Sequence, residues 1–281
     1  IVKVISMPDR PAGRGMELKS PEVIEYAKSH QLPYFQTANI NHEMELIQEL
    51  KLESIDFIIV LAFAQFLGND ILNLPKMGCF NIHTSLLPRY RGAAPIQYAL
   101  LNGDQETGVS IQKMVKKMDA GSLVLSHKIP LSSYENFPLL YTRLKYQAAL
   151  SLSDFISKVA TQSLLYQDQD ETLVSFAPTL KKEDGHLLFS QLSKKQVLNK
   201  IRALNPWPGT FCFLNTKRLK IFTAMPYHIN LSPGDSRNDM GSLVVGCLDG
   251  SLRLSDIQLA GKKRCSDTEL LNGIRSEIHL T

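Results

Sequence analysis

The sequence holds one tryptophan and four cysteines in 281 residues, and it has no apolar run near the roughly 20 residues that a helix needs to cross a bilayer. Cys79, Cys212, Cys247 and Cys265 form no CxxC pair and no zinc-ligand spacing. Neither a disulfide framework nor a bound metal is therefore expected, and free buried thiols in a reducing compartment are. A bacterial cytoplasm fits this reading, with an organelle matrix as the alternative. No internal repeat or low-complexity tract occurs, which argues against a solenoid or a long disordered tail. Residues 1–5, IVKVI, read as a strand and not as a signal peptide.

What is present is an ordinary globular composition, 44% hydrophobic and 21% charged. A chain of this length is expected to form two domains. Its net charge of +4 is uneven: residues 181–281 carry 15 Lys and Arg against 9 Asp and Glu, leaving 16 against 18 before them. A basic C-terminal half is compatible with a polyanionic partner.

The densest polar and backbone-shaping stretch is residues 80–95, FNIHTSLLPRYRGAAP. If residues 79–83 form a strand, Asn81 and His83 point to one face, because strand side chains alternate with period two. A carboxamide that donates a hydrogen bond, beside an imidazole, is suited to stabilise a developing oxyanion and move a proton. Residues 84–95 then make a loop at the carboxyl end of that strand, where open α/β sheets bind ligands.

Before this stretch the pattern is strand, helix, strand, helix, strand: residues 1–7, a helix from Ser20-Pro21 to about 30 with Ser20 as N-cap, residues 32–36, a helix over 41–50 with Met44, Ile47 and Leu50 on one face, and a doubly covered strand over 57–62. That order predicts a doubly wound parallel sheet. Between the first strand and helix, PDRPAGRG at 8–15 places Arg10 and Arg14 on an exposed loop. Beyond the loop come a helix over 94–101, strands over 109–114 and 123–129 with Asp119 in the glycine-containing turn between them, and a long helix over 136–166. Asp119 either caps backbone there or presents its carboxylate. TLKKEDG at 179–185 is the best linker candidate, and the helix over 193–204 ends at NPWPG, where Trp207 is expected to anchor a corner. Short strands at 211–214, 219–223, 242–247 and 252–259 then indicate a small antiparallel barrel, followed by a helix capped by Ser266.

Asn81-x-His83, then Ser85-Leu86-Leu87-Pro88 and Gly92, with Asp119 in an Asp-x-Gly turn, resembles the signature of the 10-formyltetrahydrofolate-dependent formyltransferases. The stretches PDRPAGRG, RYRGAAPI, GDQETGV, NPWP and AGKK, in that order, extend the resemblance over nearly the whole chain to the branch that acts on initiator tRNA. The resemblance implies a Rossmann-like formyltransferase domain over 1–178, a linker over 179–190 and an OB-like β-barrel domain over 191–281. It implies transfer of a formyl group from the co-substrate 10-formyltetrahydrofolate to the α-amino group of initiator Met-tRNA, by a monomer that uses no metal and no membrane. Asn81, His83 and Asp119 match the catalytic positions and Ser85, Leu86, Leu87 and Pro88 the tetrahydrofolate-contacting segment. The loop bearing Arg10 and Arg14 matches the one that reaches the tRNA acceptor end.

Lys181, Lys182, Lys194, Lys195, Lys262, Lys263 and Arg264 are expected to hold phosphates. The chain opens at what corresponds to the family's second strand, so a truncated sequence is expected. Ala64 and Gly68 stand where the family carries Gly and Pro, and Ala120 and Ser122 where it carries Thr and Asp. The competing readings are a formyltransferase for a nucleotide-sugar amine, a formyltetrahydrofolate hydrolase, and a non-catalytic RNA-binding protein.

Overall fold

Short runs closed by turn residues make the strands of this chain, largely apolar at Val4–Ser6, Ile58–Val60, Cys79–His83 and Ser242–Cys247 and polar at Glu17–Lys19 and Ser236–Asp239, and helices separate them only in its first part. The computed structural model describes residues 1–12, 16–274 and 278–281. The first elements are β1 (Val4–Ser6), β2 (Arg10–Ala12), β3 (Glu17–Lys19), α1 (Glu22–Ser29), β4 (Tyr34–Gln36), α2 (Met44–Leu52) and β5 (Ile58–Val60). Next come α3 (Asn69–Leu72), β6 (Cys79–His83), α4 (Pro95–Asn102), β7 (Glu106–Lys113), β8 (Leu123–Pro130) and α5 (Phe137–Ala160). The remainder is α6 (Lys194–Leu204), β9 (Thr210–Leu214), β10 (Lys217–Tyr227), β11 (Ser236–Asp239), β12 (Ser242–Cys247), β13 (Gly250–Leu259), β14 (Cys265–Ser266) and α7 (Asp267–Asn272). Two compact units result: residues 1–83, 109–126 and 150–172, and residues 84–108, 127–149 and 173–281.

In the first unit β1 pairs with β4 and β5 with β6, both parallel, as strands joined through helices do. β6 then pairs antiparallel with β7, giving the order β5-β6-β7-β8. Among the described residues no ladder joins the β1–β4 pair to this sheet, so the expected doubly wound sheet is present in two pieces. One core spans both. Leu46, Ile47 and Leu50 of α2 pack with Ile71 and Cys79, and Ile5, Phe35, Ile58 and Val60 close on them.

Several expectations are corrected. Residues 57–60 are half-buried and Leu61 and Ala62 exposed, because β5 is an edge strand that, among the described residues, pairs with β6 alone. Ser20 does not cap α1; its Oγ donates to Asp9 Oδ1 at 2.8 Å and Pro21 occupies the cap. On α2 the inward stripe is Leu46, Ile47 and Leu50, with Met44 59% exposed. Trp207 is 52% exposed and so does not act as a buried anchor.

The second unit centres on an antiparallel sheet ordered β11-β12-β13-β10-β9, with β14 paired to β13. β10 has irregular register near Ile221 and Thr223, and it serves β9 with its first half and β13 along most of its length. Among the described residues β9 and β11 do not pair with each other, so this is not the closed barrel expected but an antiparallel sheet with two ends. Its apolar face holds Cys212, Leu219, Leu243, Val245, Leu252 and Ile257, covered by Val197 and Ile201 of α6.

Capping boxes start α6 at Ser193 with Gln196 and α7 at Ser266 with Glu269. α6 also grips the end of α4. Arg202 Nη2 donates to Leu100 O at 3.2 Å and Asn199 Nδ2 to Leu101 O at 3.2 Å. All four thiols are free, and burial pushes those of Cys79 and Cys212 up to about 12.

Candidate active site

β6 alternates as its sequence requires, so Asn81 and His83 share a face. The register places Asn81 opposite Gln112 and His83 opposite Ser110 on β7, so these four side chains line the same surface of the first unit. β7 leads into the turn that carries Asp119, whose φ of +50° is the left-handed region that a side chain enters at a cost. Two residues on, a Cβ at Gly121 would lie 1.6 Å from the Lys113 carbonyl oxygen, so only glycine fits there.

The Asp119 carboxylate meets both strand residues. Oδ1 accepts from Asn81 Nδ2 at 3.3 Å and from Gln112 Nε2 at 2.8 Å, while Oδ2 lies 3.7 Å from His83 Nδ1. The last separation is an ion-pair distance and not a hydrogen bond. His83 and Asp119 side chains are 7% and 12% exposed. Behind them Gln112 Oε1 accepts from Gly121 N at 3.1 Å, and Gln169 Nε2 donates to the carbonyls of Asp119 at 2.9 Å and Gly121 at 2.7 Å. Gln112 and Gln169 were not singled out from the sequence. The alternation of polar Ser110 and Gln112 with apolar Val109 and Ile111 was the available signal.

The predicted folate segment lies in the second unit and is tightly self-bonded. Ser85 and Leu87 are buried, and Ser85 Oγ donates to Arg89 O at 2.6 Å. Leu86 and Pro88 are half-buried and so remain the side chains with surface to offer a ligand. The following RYRG is clamped to residues 175–177: Arg91 N donates to Ser175 O at 2.9 Å and Ala177 N to Arg91 O at 2.8 Å. Gly92, at φ +124°, sits where a Cβ would come within 2.6 Å of Ala177 O. Arg89 and the Tyr90 phenol both bond Asp104, at 2.8 and 2.7 Å.

Of the cations singled out from the sequence, Arg10 is exposed in a two-stranded ribbon, β2 with β3, in register with Lys19. Pro11 is tolerated there because both strands of a ribbon are edges. Arg14 lies outside the described residues. Lys262 and Lys263 are exposed in the turn after β13. Arg264, by contrast, is engaged: it forks onto Asp256 and lies 4.0 Å over the Phe222 ring, so it is a poor candidate for a phosphate grip. Sequence reasoning passed over Arg218 and Lys220, which with Gln258, Leu259, Ala260 and Gly261 line a cavity of about 170 Å³ near the same turn.

Comparison with known proteins gives two family matches, Formyl transferase over residues 1–156 and Formyl transferase, C-terminal domain over residues 179–275. The methionyl-tRNA formyltransferase of Geobacter sulfurreducens is 37% identical over 278 residues, covering 99% of this chain and 87% of the relative. That of Thermotoga neapolitana is 39% identical over 282 residues, covering 97% and 87%. Among solved structures, an N-formyltransferase from Helicobacter canadensis in complex with folinic acid and dTDP-3-aminofucose shares the fold at a TM-score of 0.66 and 16% identity, covering 94% of this chain and 100% of that one. HypX from Aquifex aeolicus with tetrahydrofolic acid does so at 0.64 and 15%, covering 95% and 46%. The two family matches, together with relatives at 37–39% identity over nearly the whole of this chain, lead to one assignment: the chain belongs to the formyltransferase family, with methionyl-tRNA formyltransferases among its relatives.

Proposed function

We propose that this chain transfers the formyl group of 10-formyltetrahydrofolate to the α-amino group of methionine on initiator tRNA, in the cytosol. The observation that carries this reading is the convergence of the Asp119 carboxylate on Asn81 and His83 from a single strand face. In formyl transfer the amine nitrogen bonds to the formyl carbon and negative charge gathers on the formyl oxygen. An amide group has two hydrogens, so Asn81 can bond Asp119 with one and the oxygen with the other. His83, with Nδ1 toward Asp119, brings Nε2 to the substrate side as a second donor. The carbon–N10 bond then breaks, and the proton shed by the amine passes by way of Asp119 and His83 to N10 of the folate. The 3.7 Å His83–Asp119 separation tightens when substrate fills the site.

The catalytic domain on this reading is residues 1–178, joined by 179–190 to a tRNA-holding domain over 191–281. Leu86 and Pro88 touch the folate, with Ser85 and Leu87 shaping the loop from within. Arg10 and Arg14 meet the acceptor end, while Lys262 and Lys263 meet phosphates. The chain works as a monomer. The test is incubation with labelled 10-formyltetrahydrofolate and Met-tRNA. Label recovered in aminoacyl-tRNA supports the reading, and label released only as formate overturns it in favour of a hydrolase.

A further inference from the structure

We propose that Gln112 is a positioning residue for Asp119 and that Gln112 and Gln169 together hold the 119–121 turn in the conformation that aims the carboxylate at Asn81 and His83. This rests on the formyl-transfer reading of the same site.

Gln112 is 1% exposed, in a strand whose neighbours Val109 and Ile111 are fully buried. A carboxamide at such a place is stable only when both its ends are bonded. Its Nε2 bonds the Asp119 carboxylate at 2.8 Å and its Oε1 takes the Gly121 N–H at 3.1 Å, so one side chain fixes the acid and the peptide two residues beyond it. Gln169 performs the complementary task. Its Nε2 bridges the carbonyls of Asp119 and Gly121 and lies 3.2 Å from Gln112 Oε1.

The turn needs such a brace. Asp119 occupies positive φ, Met118 is 65% exposed and residues 115–117 are also exposed, so little apolar packing constrains it. Of the bonds that Asp119 Oδ1 accepts from Gln112 and Asn81, the shorter is not the catalytic one. Asp119 Oδ1 lies closer to Gln112 than to Asn81, by 2.8 against 3.3 Å, so the glutamine sets where the oxygen sits. Gln112 touches no reacting atom on this view and acts through Asp119.

The experiment compares Gln112→Met, which keeps volume but loses both bonds, with Gln112→Glu, which keeps the acceptor for Gly121 and loses the donor. Both are expected to lower kcat by about tenfold to a hundredfold, with KM for folate and tRNA within about twofold of the parent. In an Asp119→Asn background either change is expected to cost no more than about twofold, because a residue that acts through another is silent once the other is gone. The ring resonances of His83 are expected to move in Q112M in the same sense as in D119N. Where Q112M fails to fold, the half-exposed Gln169→Leu serves for the same measurements.

A KM effect without a kcat effect, equal losses in both backgrounds, or unmoved His83 resonances would each overturn the proposal. If the unaltered chain transfers no formyl group, the functional reading fails, while the His83 resonances still decide whether the glutamines place Asp119.

Discussion

Asn81 is the residue whose removal reads most directly on the chemistry. On the proposed mechanism, truncation in N81A takes away one oxyanion donor while leaving the strand intact, so kcat is expected to fall about 10²–10³-fold with little change in KM, measured by steady-state formyl transfer. A fall in binding with kcat preserved would instead make Asn81 a ground-state contact. The pairing of Asn81 with His83 was legible in the sequence, because alternation along one strand needs no knowledge of partners. Asp119 was legible only through the family resemblance; its spacing from His83 says nothing about where the turn folds back. Gln112 was hidden because its place opposite Asn81 is set by the register between two strands, and a one-residue slip would have sent it to the other face.

Among the elements, α7 shows how a short helix is secured at its start. Asp267 is fully buried, forks onto Arg253 at 2.7 and 2.9 Å, and accepts from Leu243 N at 3.0 Å. Burial pushes its carboxyl up, but the Arg253 bonds and the backbone N–H groups outweigh that and hold it below the ordinary aspartate value. A depressed pKa stabilises the fold above the unfolded value and ceases to do so as pH falls through the folded one. Unfolding midpoints of the parent should therefore decline below about pH 4. D267N should show a shallower limb, since Asp9 and Asp170 are also held below the ordinary value, and be weaker at neutral pH by about 2 kcal/mol, a figure reduced because Arg253 is partly exposed. Helix starts at Ser193 and Ser266 were legible because their capping boxes are local. Ser20 precedes Pro21 but has Val23 in place of Gln or Glu three residues on, and Asp9, itself bonded by Gln36, draws its hydroxyl away from the helix, a tertiary preference that a capping pattern does not contain.

At the scale of the whole chain, the basic C-terminal half predicts how a polyanion is held. Exposed cations release counterions on binding nucleic acid, so Lys262→Glu with Lys263→Glu should weaken tRNA affinity and flatten its salt dependence by about two phosphate contacts. Filter binding over a salt series measures both, and an unchanged low-salt affinity would remove that turn from the interface. The alternation of helix and strand, then strands alone, made the division into an α/β part and an antiparallel part readable. Whether the antiparallel strands close on themselves was not readable, since closure depends on pairing between strands far apart in sequence.

One small feature reaches further than its size suggests. The last carbonyls of α4, a helix matched by the N-terminal family segment, are stoppered by Arg202 and Asn199, which belong to the C-terminal one. A gene cut at the natural-looking seam near residue 178 should thus release a fragment whose α4 frays at Leu100 and Leu101. Protease nicks should then appear near Gly103 that the intact chain resists.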